Sequence, residues 1–328
     1  MTSKMMKAFI ILNPAAGKNA PEPILEAINR YFTNSQIEYE IYETTKGDKP
    51  GDIVRARLRD NFDLVVAAGG DGTVSAVIDG LVGSSVPMGI IPAGTGNLIA
   101  RELKIPLEII DSVALIANTH KIKKIDAMRI GKRTFVLNVS VGISASVIEG
   151  TTRKNKNRFG RLAYLGTAII KIFTFRNRIL KVAIDGKTRT YRAVEVTISN
   201  CGILSKMLYP RGPDVRIDDG HLDVWTLSSK TFWDYPRYLF EMITRRPAKD
   251  LSHFRNSEKM VSIRSRIPLP VQADGDIIGT TPVEVEVLPG ALTVLVAEKP
   301  VPEADDNLDR NKVMSQYLSG FAQTGGRK

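Results

Sequence analysis

The sequence predicts a two-part α/β protein: an N-terminal doubly wound parallel-sheet domain, then a β-rich, sandwich-like second domain. Three observations predict it. Over the first hundred or so residues, short apolar runs alternate with helical periodicity, the pattern of parallel strands joined by crossover helices. The glycine-bearing turns of that region each follow an apolar run, at the carboxyl end of an expected strand, where open α/β sheets bind ligands. Beyond about residue 121, strand-like runs follow one another directly and are parted by Asp-Gly turns, which points to antiparallel pairing. The chain has 328 residues, 43% of them hydrophobic, enough for about two domains of roughly 150 residues each. The expected division is residues 1–122, residues 123–299, and a tail over 300–328.

The elements follow in order. Residues 7–12 are an apolar strand, and 21–32 a helix with Ile24, Leu25 and Ile28 on one face. Residues 37–42 alternate Ile37, Tyr39 and Ile41 as a second strand. A helix is expected over 48–60, a strand over 64–68, a helix over 73–81, and a strand over 88–91 that stops at Pro92. The turn Ala93-Gly94-Thr95-Gly96-Asn97 then opens another helix. In the second part, strands are expected over 135–141, 180–184, 193–199, 221–227, 260–263, 283–287 and 291–297. Asp185-Gly186 and Asp219-Gly220 are turns between them. Helical inserts are expected at 161–175 and 232–244, and one amphipathic helix or a frayed end in the tail.

Composition excludes several classes of protein. The single cysteine, Cys201, leaves no intrachain disulfide framework and fits a reducing compartment. With only His120, His221 and His253 beside it, a zinc site is not expected. No stretch approaches the roughly 18 uninterrupted apolar residues of a membrane span. The opening MTSKMMKAFIILNP has too short an apolar run for a signal peptide and reads as the first strand. The net charge of +11 suits an anionic membrane, nucleic acid or a phosphorylated substrate. No nucleic-acid-binding signature accompanies it, so nucleic acid is not expected. A cytoplasmic location with peripheral attachment to an anionic membrane is the expectation.

The stretch LVVAAGGDGTVSAVIDGL, residues 64–81, ends a buried strand in Gly69-Gly70-Asp71-Gly72-Thr73 and then begins a helix. Glycines at such a corner let an anion approach the amides. The plain reading is a tight turn in which Asp71 caps the next helix. The functional reading is a phosphate cradle with a carboxylate placed for magnesium or a proton. Known fingerprints do not match: GxGxxG fails here, and Asn13-Pro14-Ala15-Ala16-Gly17-Lys18 is followed by Asn19 rather than the Ser or Thr of a Walker loop. Lys18 is a surface lysine or a phosphate contact, and Asn97 a helix cap or part of a motif. What remains is a set: Asn-Pro-x-x-Gly after the first strand, Gly-Gly-Asp-Gly-Thr after the third, and Pro-x-Gly-Thr-x-Asn after the fourth.

That set resembles the diacylglycerol kinase catalytic-domain family, which includes soluble bacterial lipid kinases and relatives of sphingosine and ceramide kinases. Asp218-Asp219-Gly220-His221-Leu222-Asp223 and Asp274-Gly275-Asp276 fit it as well, so the resemblance runs from Lys7 to about Val296. It implies an ATP- and Mg2+-dependent kinase acting on a lipid hydroxyl, diacylglycerol or a related lipid, with a nucleotide domain like that of NAD kinases. It implies ATP contacts from Thr44, Gly70, Asp71, Gly72, Thr73 and Thr95, with Asn13 beside the nucleotide. It implies Mg2+ near Asp219 with the main-chain carbonyls of Arg216 and His221, and a general base at Asp276. A second copy of the chain is counted among the candidate partners. Two departures stand out. Ser75 and Ala76 replace the family's Asn-Glu, and Asp276 replaces a glutamate with about 1.5 Å less reach. Asp71 is therefore a rival for the base. The competing readings are an NAD-kinase-like enzyme, against which Asn97 speaks, and a catalytically weak lipid-binding protein of the same fold. The basic cluster Arg153, Lys154, Lys156, Arg158 and Arg161, and the aromatic run 232–240, are core helices with a solvated edge or a membrane-facing surface.

Overall fold

The computed structural model describes residues 5–17, 21–118, 120–151, 177–208, 212–228, 234 and 252–298. The expected helices at 161–175 and 232–244, the basic cluster at 153–161, Lys18 and the tail from 300 lie outside the described residues. The chain forms two compact units; among the described residues these are 5–125 with 290–298, and 126–289.

In the first unit, β1 (Met6–Leu12), α1 (Glu22–Asn34), β2 (Ile37–Glu43), α2 (Pro50–Arg57), β3 (Leu64–Gly69), α3 (Asp71–Leu81), β4 (Met88–Pro92), α4 (Leu98–Glu102) and α5 (Ile109–Ala117) follow in turn. The sheet order is β2-β1-β3-β4, all parallel. Leu12 lies opposite Glu43 and Ala68, and Gly69 opposite Pro92. The carboxyl ends are therefore level, and their loops open on one edge. All six residues of β3 are buried, which is why that strand reads as an unbroken apolar run. α1 starts with proline in its first turn and buries Ile24, Ala27, Ile28 and Phe32, a single stripe against the sheet. The helix expected over 48–60 is shorter. α2 ends at Arg57, and a 3₁₀ turn over Leu58–Asp60 leads to Asn61, whose left-handed φ of 56° stops the helix. The sequence reading did not include α5.

β5 (Lys121–Ile130) leads into the second unit. There follow β6 (Arg133–Phe135), β7 (Asn138–Gly142), α6 (Ile143–Thr151), β8 (Arg178–Ile184), β9 (Lys187–Ala193), β10 (Glu195–Ser199), α7 (Gly202–Leu208), β11 (Leu222–Leu227), β12 (Ser252–Ser257), β13 (Met260–Ser265), β14 (Pro270–Ala273), β15 (Asp276–Thr280) and β16 (Val283–Val296). The start of β16 pairs with β13, then β8, then β9, and a second sheet runs β12-β11-β10-β7-β14-β15. Their facing sides make one apolar core, with Val182, Ile263 and Val285 from the first sheet and Val139, Val196, Ile198 and Val224 from the second. Among the described residues no helix is long and apolar enough to cross a membrane.

Two expected elements are corrected. The strand expected over 135–141 is broken into β6 and β7, because the amides of Val136 and Leu137 turn onto the Asp274 carboxylate at 2.9 Å each. The runs 283–287 and 291–297 are one strand, β16, with the Pro289-Gly290 pair inside it and Gly290 at φ 55°. A third finding concerns the second sheet. Its strands alternate apolar and polar residues, yet the polar side is buried too: Glu195, Thr197, Ser199, Asn138, Ser140, Gln272 and Asp223 are each at most 5% exposed.

The β8–β9 turn yields a pH test. Asp185 and Gly186 take positive φ (48° and 83°), and the Asp185 carboxylate accepts from Ser257 Oγ at 2.8 Å and from the amides of Glu258, Lys259 and Met260 at 2.9–3.0 Å. Burial opposes ionisation, but these donors outweigh it and hold the carboxyl down at about 2. A depressed carboxyl stabilises the fold above its unfolded pKa, and that contribution is lost as pH falls through the folded value. Urea melts should show Asp185→Asn less stable than wild type at neutral pH, with the gap closing from about pH 4 to about pH 2. A gap independent of pH would refute the assignment.

Candidate active site

Four loops leave the carboxyl edge of the first sheet, and three of them are cross-linked. After β1, Asn13 is 8% exposed and its amide is fully used: Nδ2 donates to Thr73 Oγ1 at 3.0 Å, and Oδ1 accepts from Ala15 N at 3.1 Å. Its own N–H donates to Ala68 O at 2.9 Å, fixing the loop to β3. After β2, Thr44 N donates to Leu12 O at 2.8 Å, which holds a half-buried Thr44 on the same edge. After β3, Gly70 precedes α3, and Thr73 and Val74 donate back to Gly70 O at 2.9 and 3.0 Å. After β4, Asn97 (φ 50°) closes its loop on Gly94, donating to its carbonyl and accepting from its amide at 2.9 Å each. Thr95 stands exposed at the tip. Asn97 thus shapes the turn rather than capping the helix with its side chain.

The cap of α4 comes from elsewhere. Asp71 Oδ1 accepts from Ile99 N at 3.2 Å, so the aspartate of the third-strand loop caps the helix of the fourth-strand loop. The sequence reading put this cap on the next helix, α3, whose N-cap residue, Gly70, has no side chain to cap it. With Thr73 and Val74 bonded back to Gly70 O, the main-chain N–H groups ahead of Thr73 lie at the loop edge, the arrangement that binds anions. α3 is held in place by α2. Gly51 and Gly80 let the two backbones touch: a Cβ on Gly51 would lie 2.6 Å from Ala76 O, and one on Gly80 2.5 Å from Gly51 O. Ser75 and Ala76, where the family pattern has Asn-Glu, are half-buried on this helix.

In the second unit, Arg216, Asp219 and His221 share the loop before β11. Asp219 Oδ1 accepts from His221 N at 3.1 Å, and the imidazole lies between Asp219 (3.7 Å) and Glu258 (3.4 Å). Burial works against charging His221, but Asp219 and Glu258 raise its pKa overall. Two further acidic residues stand here: Asp126, which the sequence reading missed, and Asp223, which it held only as part of the motif. Asp126, 2% exposed, accepts from Gly220 N at 2.7 Å and fixes the loop. Asp223, 5% exposed, is pushed up to about 6 by burial and by the charge of Asp219. An aspartate inside the apolar run of β5 was the available signal for Asp126. Among the described residues no cluster of three or more acidic, histidine or cysteine side chains could hold a metal. A cation here would rest on Asp219 and main-chain carbonyls, which suits a hydrated Mg2+.

Asp274-Gly275-Asp276 joins β14 to β15, with Asp274 and Gly275 at φ 46° and 92°. Asp274 is structural: its carboxylate takes the amides of Val136, Leu137 and Asn138 at 2.9–3.1 Å. Asp276, two residues on, is exposed. The nucleotide-loop residues are thus brought together in the first unit, and the Asp219 loop and the Asp276 turn are separate features of the second.

The loop contact gives a paired test. A Cβ on Gly94 would lie 2.4 Å from Gly70 Cα, whereas one on Gly72 meets nothing within 4 Å. Gly94→Ala should cost roughly 2 kcal/mol or more, and Gly72→Ala about 0.5 kcal/mol or less. Thermal melts that rank the two variants the other way would contradict the packing.

Comparison with known proteins bears on the family and the fold. The diacylglycerol kinase catalytic domain matches residues 7–130, and the YegS C-terminal NAD kinase beta sandwich-like domain matches residues 137–296. The chain is 29% identical over 308 residues to an uncharacterised Synechocystis sp. protein, covering 90% of this chain and 71% of that one. It is 26% identical over 308 residues to a Bacillus subtilis diacylglycerol kinase, covering 92% of this chain and all of that one. The fold matches a crystal structure of a diacylglycerol kinase from Bacillus anthracis str. Sterne with a TM-score of 0.70, at 21% identity, covering 92% of this chain and 100% of that one. The chain belongs to the diacylglycerol kinase catalytic-domain family and is a lipid kinase of that family.

Proposed function

We propose that the chain transfers the γ-phosphoryl group of ATP to a hydroxyl of a membrane lipid, with diacylglycerol as the acceptor its named relatives suggest. The observation that carries this is the convergence of the β1, β3 and β4 loops on one sheet edge beside a helix with no side-chain cap. Phosphoryl transfer needs positioning and charge neutralisation more than covalent work. The amides at Gly70, Asp71 and Gly72 would take the phosphates, with Asn13, Thr44, Thr73 and Thr95 lining the nucleotide. Bound Mg2+, on Asp219 and the main-chain carbonyls of Arg216 and His221, would brace that loop. Asp276 would accept the proton of the lipid hydroxyl. Its exposure supports that role, whereas the bond from Ile99 N makes Asp71 a positioning residue. A lipid acceptor places the reaction at a membrane surface, and the net charge of +11 suits an anionic one.

The test is to incubate the purified chain with γ-labelled ATP, Mg2+ and mixed micelles of diacylglycerol or a total lipid extract. Label should enter the organic phase. Asp276→Asn should lower turnover about 10²- to 10⁴-fold with little change in the ATP KM, and Asp276→Glu should retain appreciable activity. Label confined to water-soluble products would overturn the lipid acceptor, and a fully active Asp276→Asn would overturn the base.

A further inference from the structure

The buried polar side of the second sheet contains a chain of hydrogen bonds that ends at the turn bearing Asp276. Gln272, 1% exposed on β14, uses both ends of its amide: Oε1 accepts from Gly275 N at 3.0 Å, and Nε2 donates to Ser140 Oγ at 2.8 Å. Ser140, directly opposite on β7, is fully buried. One polar residue on each of two adjacent strands thus leads to the amide between Asp274 and Asp276.

Such a network is costly to bury, since each group must be desolvated and then satisfied. The apolar side of the same sheet supplies the core without it. What the network contributes is orientation. The turn holds two residues at positive φ, a conformation that a non-glycine such as Asp274 adopts reluctantly. Asp274 clamps its first half through the amides of Val136 to Asn138, and Gln272 clamps its second half through Gly275. The β14–β15 ladder is regular for the two pairs next to the turn, Ala273 with Asp276 and Gln272 with Ile277, and shifts register only beyond them, so Gln272 marks the end of the regular segment that carries the turn.

We propose that Gln272, oriented by Ser140, is a positioning residue for phosphoryl transfer, acting by fixing the Asp274–Asp276 turn and through it the Asp276 carboxylate. This rests on the reading of Asp276 as the base, and the experiments separate the two. Gln272→Leu removes both bonds at similar size, and Ser140→Ala removes only the orienting one. Both should lower kcat, by about 10- to 100-fold for Gln272→Leu and less for Ser140→Ala, with the ATP KM unchanged. In an Asp276→Asn background, Gln272→Leu should cause less than about a further twofold loss, because it acts through that carboxylate. Equal losses in both backgrounds would mark a general structural defect and overturn the proposal. Hydrogen exchange gives a readout independent of the base. Amide exchange at Gly275 should speed up at least tenfold in Gln272→Leu, while exchange in β10 and β11 stays near wild type. Unchanged exchange at Gly275 would overturn the proposal whatever Asp276 does, whereas faster exchange beside a fully active Asp276→Asn would overturn the base and the catalytic part of the proposal together.

Discussion

The backbones of Gly70 and Gly94 approach so closely that Gly94 has no room for a side chain and Gly70 only a tight one: a Cβ on Gly94 would sit 2.4 Å from Gly70 Cα, and one on Gly70 3.2 Å from Gly94 Cα. Much of the candidate nucleotide site follows from that contact. It brings the loops after β3 and β4 together, which lets Asp71 on one loop cap the helix that follows the other. Asn13 then ties the β1 loop to Thr73. The level carboxyl ends of a parallel sheet make the contact available. Three turns that look independent along the chain are one structure.

The second unit uses aspartates in a parallel way. Asp126 holds Gly220, Asp185 holds residues 257–260, and Asp274 holds residues 136–138, each carboxylate accepting main-chain N–H groups from distant sequence. Charge-assisted bonds of this kind are stronger than neutral ones, and they fix loops that sheet ladders leave open. The first Asp of Asp274-Gly275-Asp276 anchors the turn, and the second is exposed.

Much of the first unit was legible because its signals are local. β3 is buried on both faces and reads as a continuous apolar run, and the glycine turns mark where strands stop. The second unit was less legible for physical reasons. Val136 and Leu137 are as apolar as their neighbours, so nothing in the letters reveals that their amides leave the ladder for an aspartate more than a hundred residues away. The alternation of β7, β10 and β11 ordinarily signals one solvated face. Here both faces are buried, and the polar one carries Ser140, Gln272 and Glu195. The three-turn motif set pointed to the site residues of the first unit. The role of Asp71 as a cap for α4 needed the three-dimensional contact, since Ile99 is no neighbour of it in sequence.

The central claim is that the joined loops of β1, β3 and β4 hold the nucleotide phosphates of a lipid kinase. A crystal structure of the full chain with Mg2+ and a non-hydrolysable ATP analogue tests it most directly. The account predicts phosphate density within hydrogen-bonding distance of the amides at Gly70 to Gly72, beside Asn13, Thr73 and Thr95. Phosphates bound at any other place, with the Gly70–Gly94 edge left empty, would contradict it.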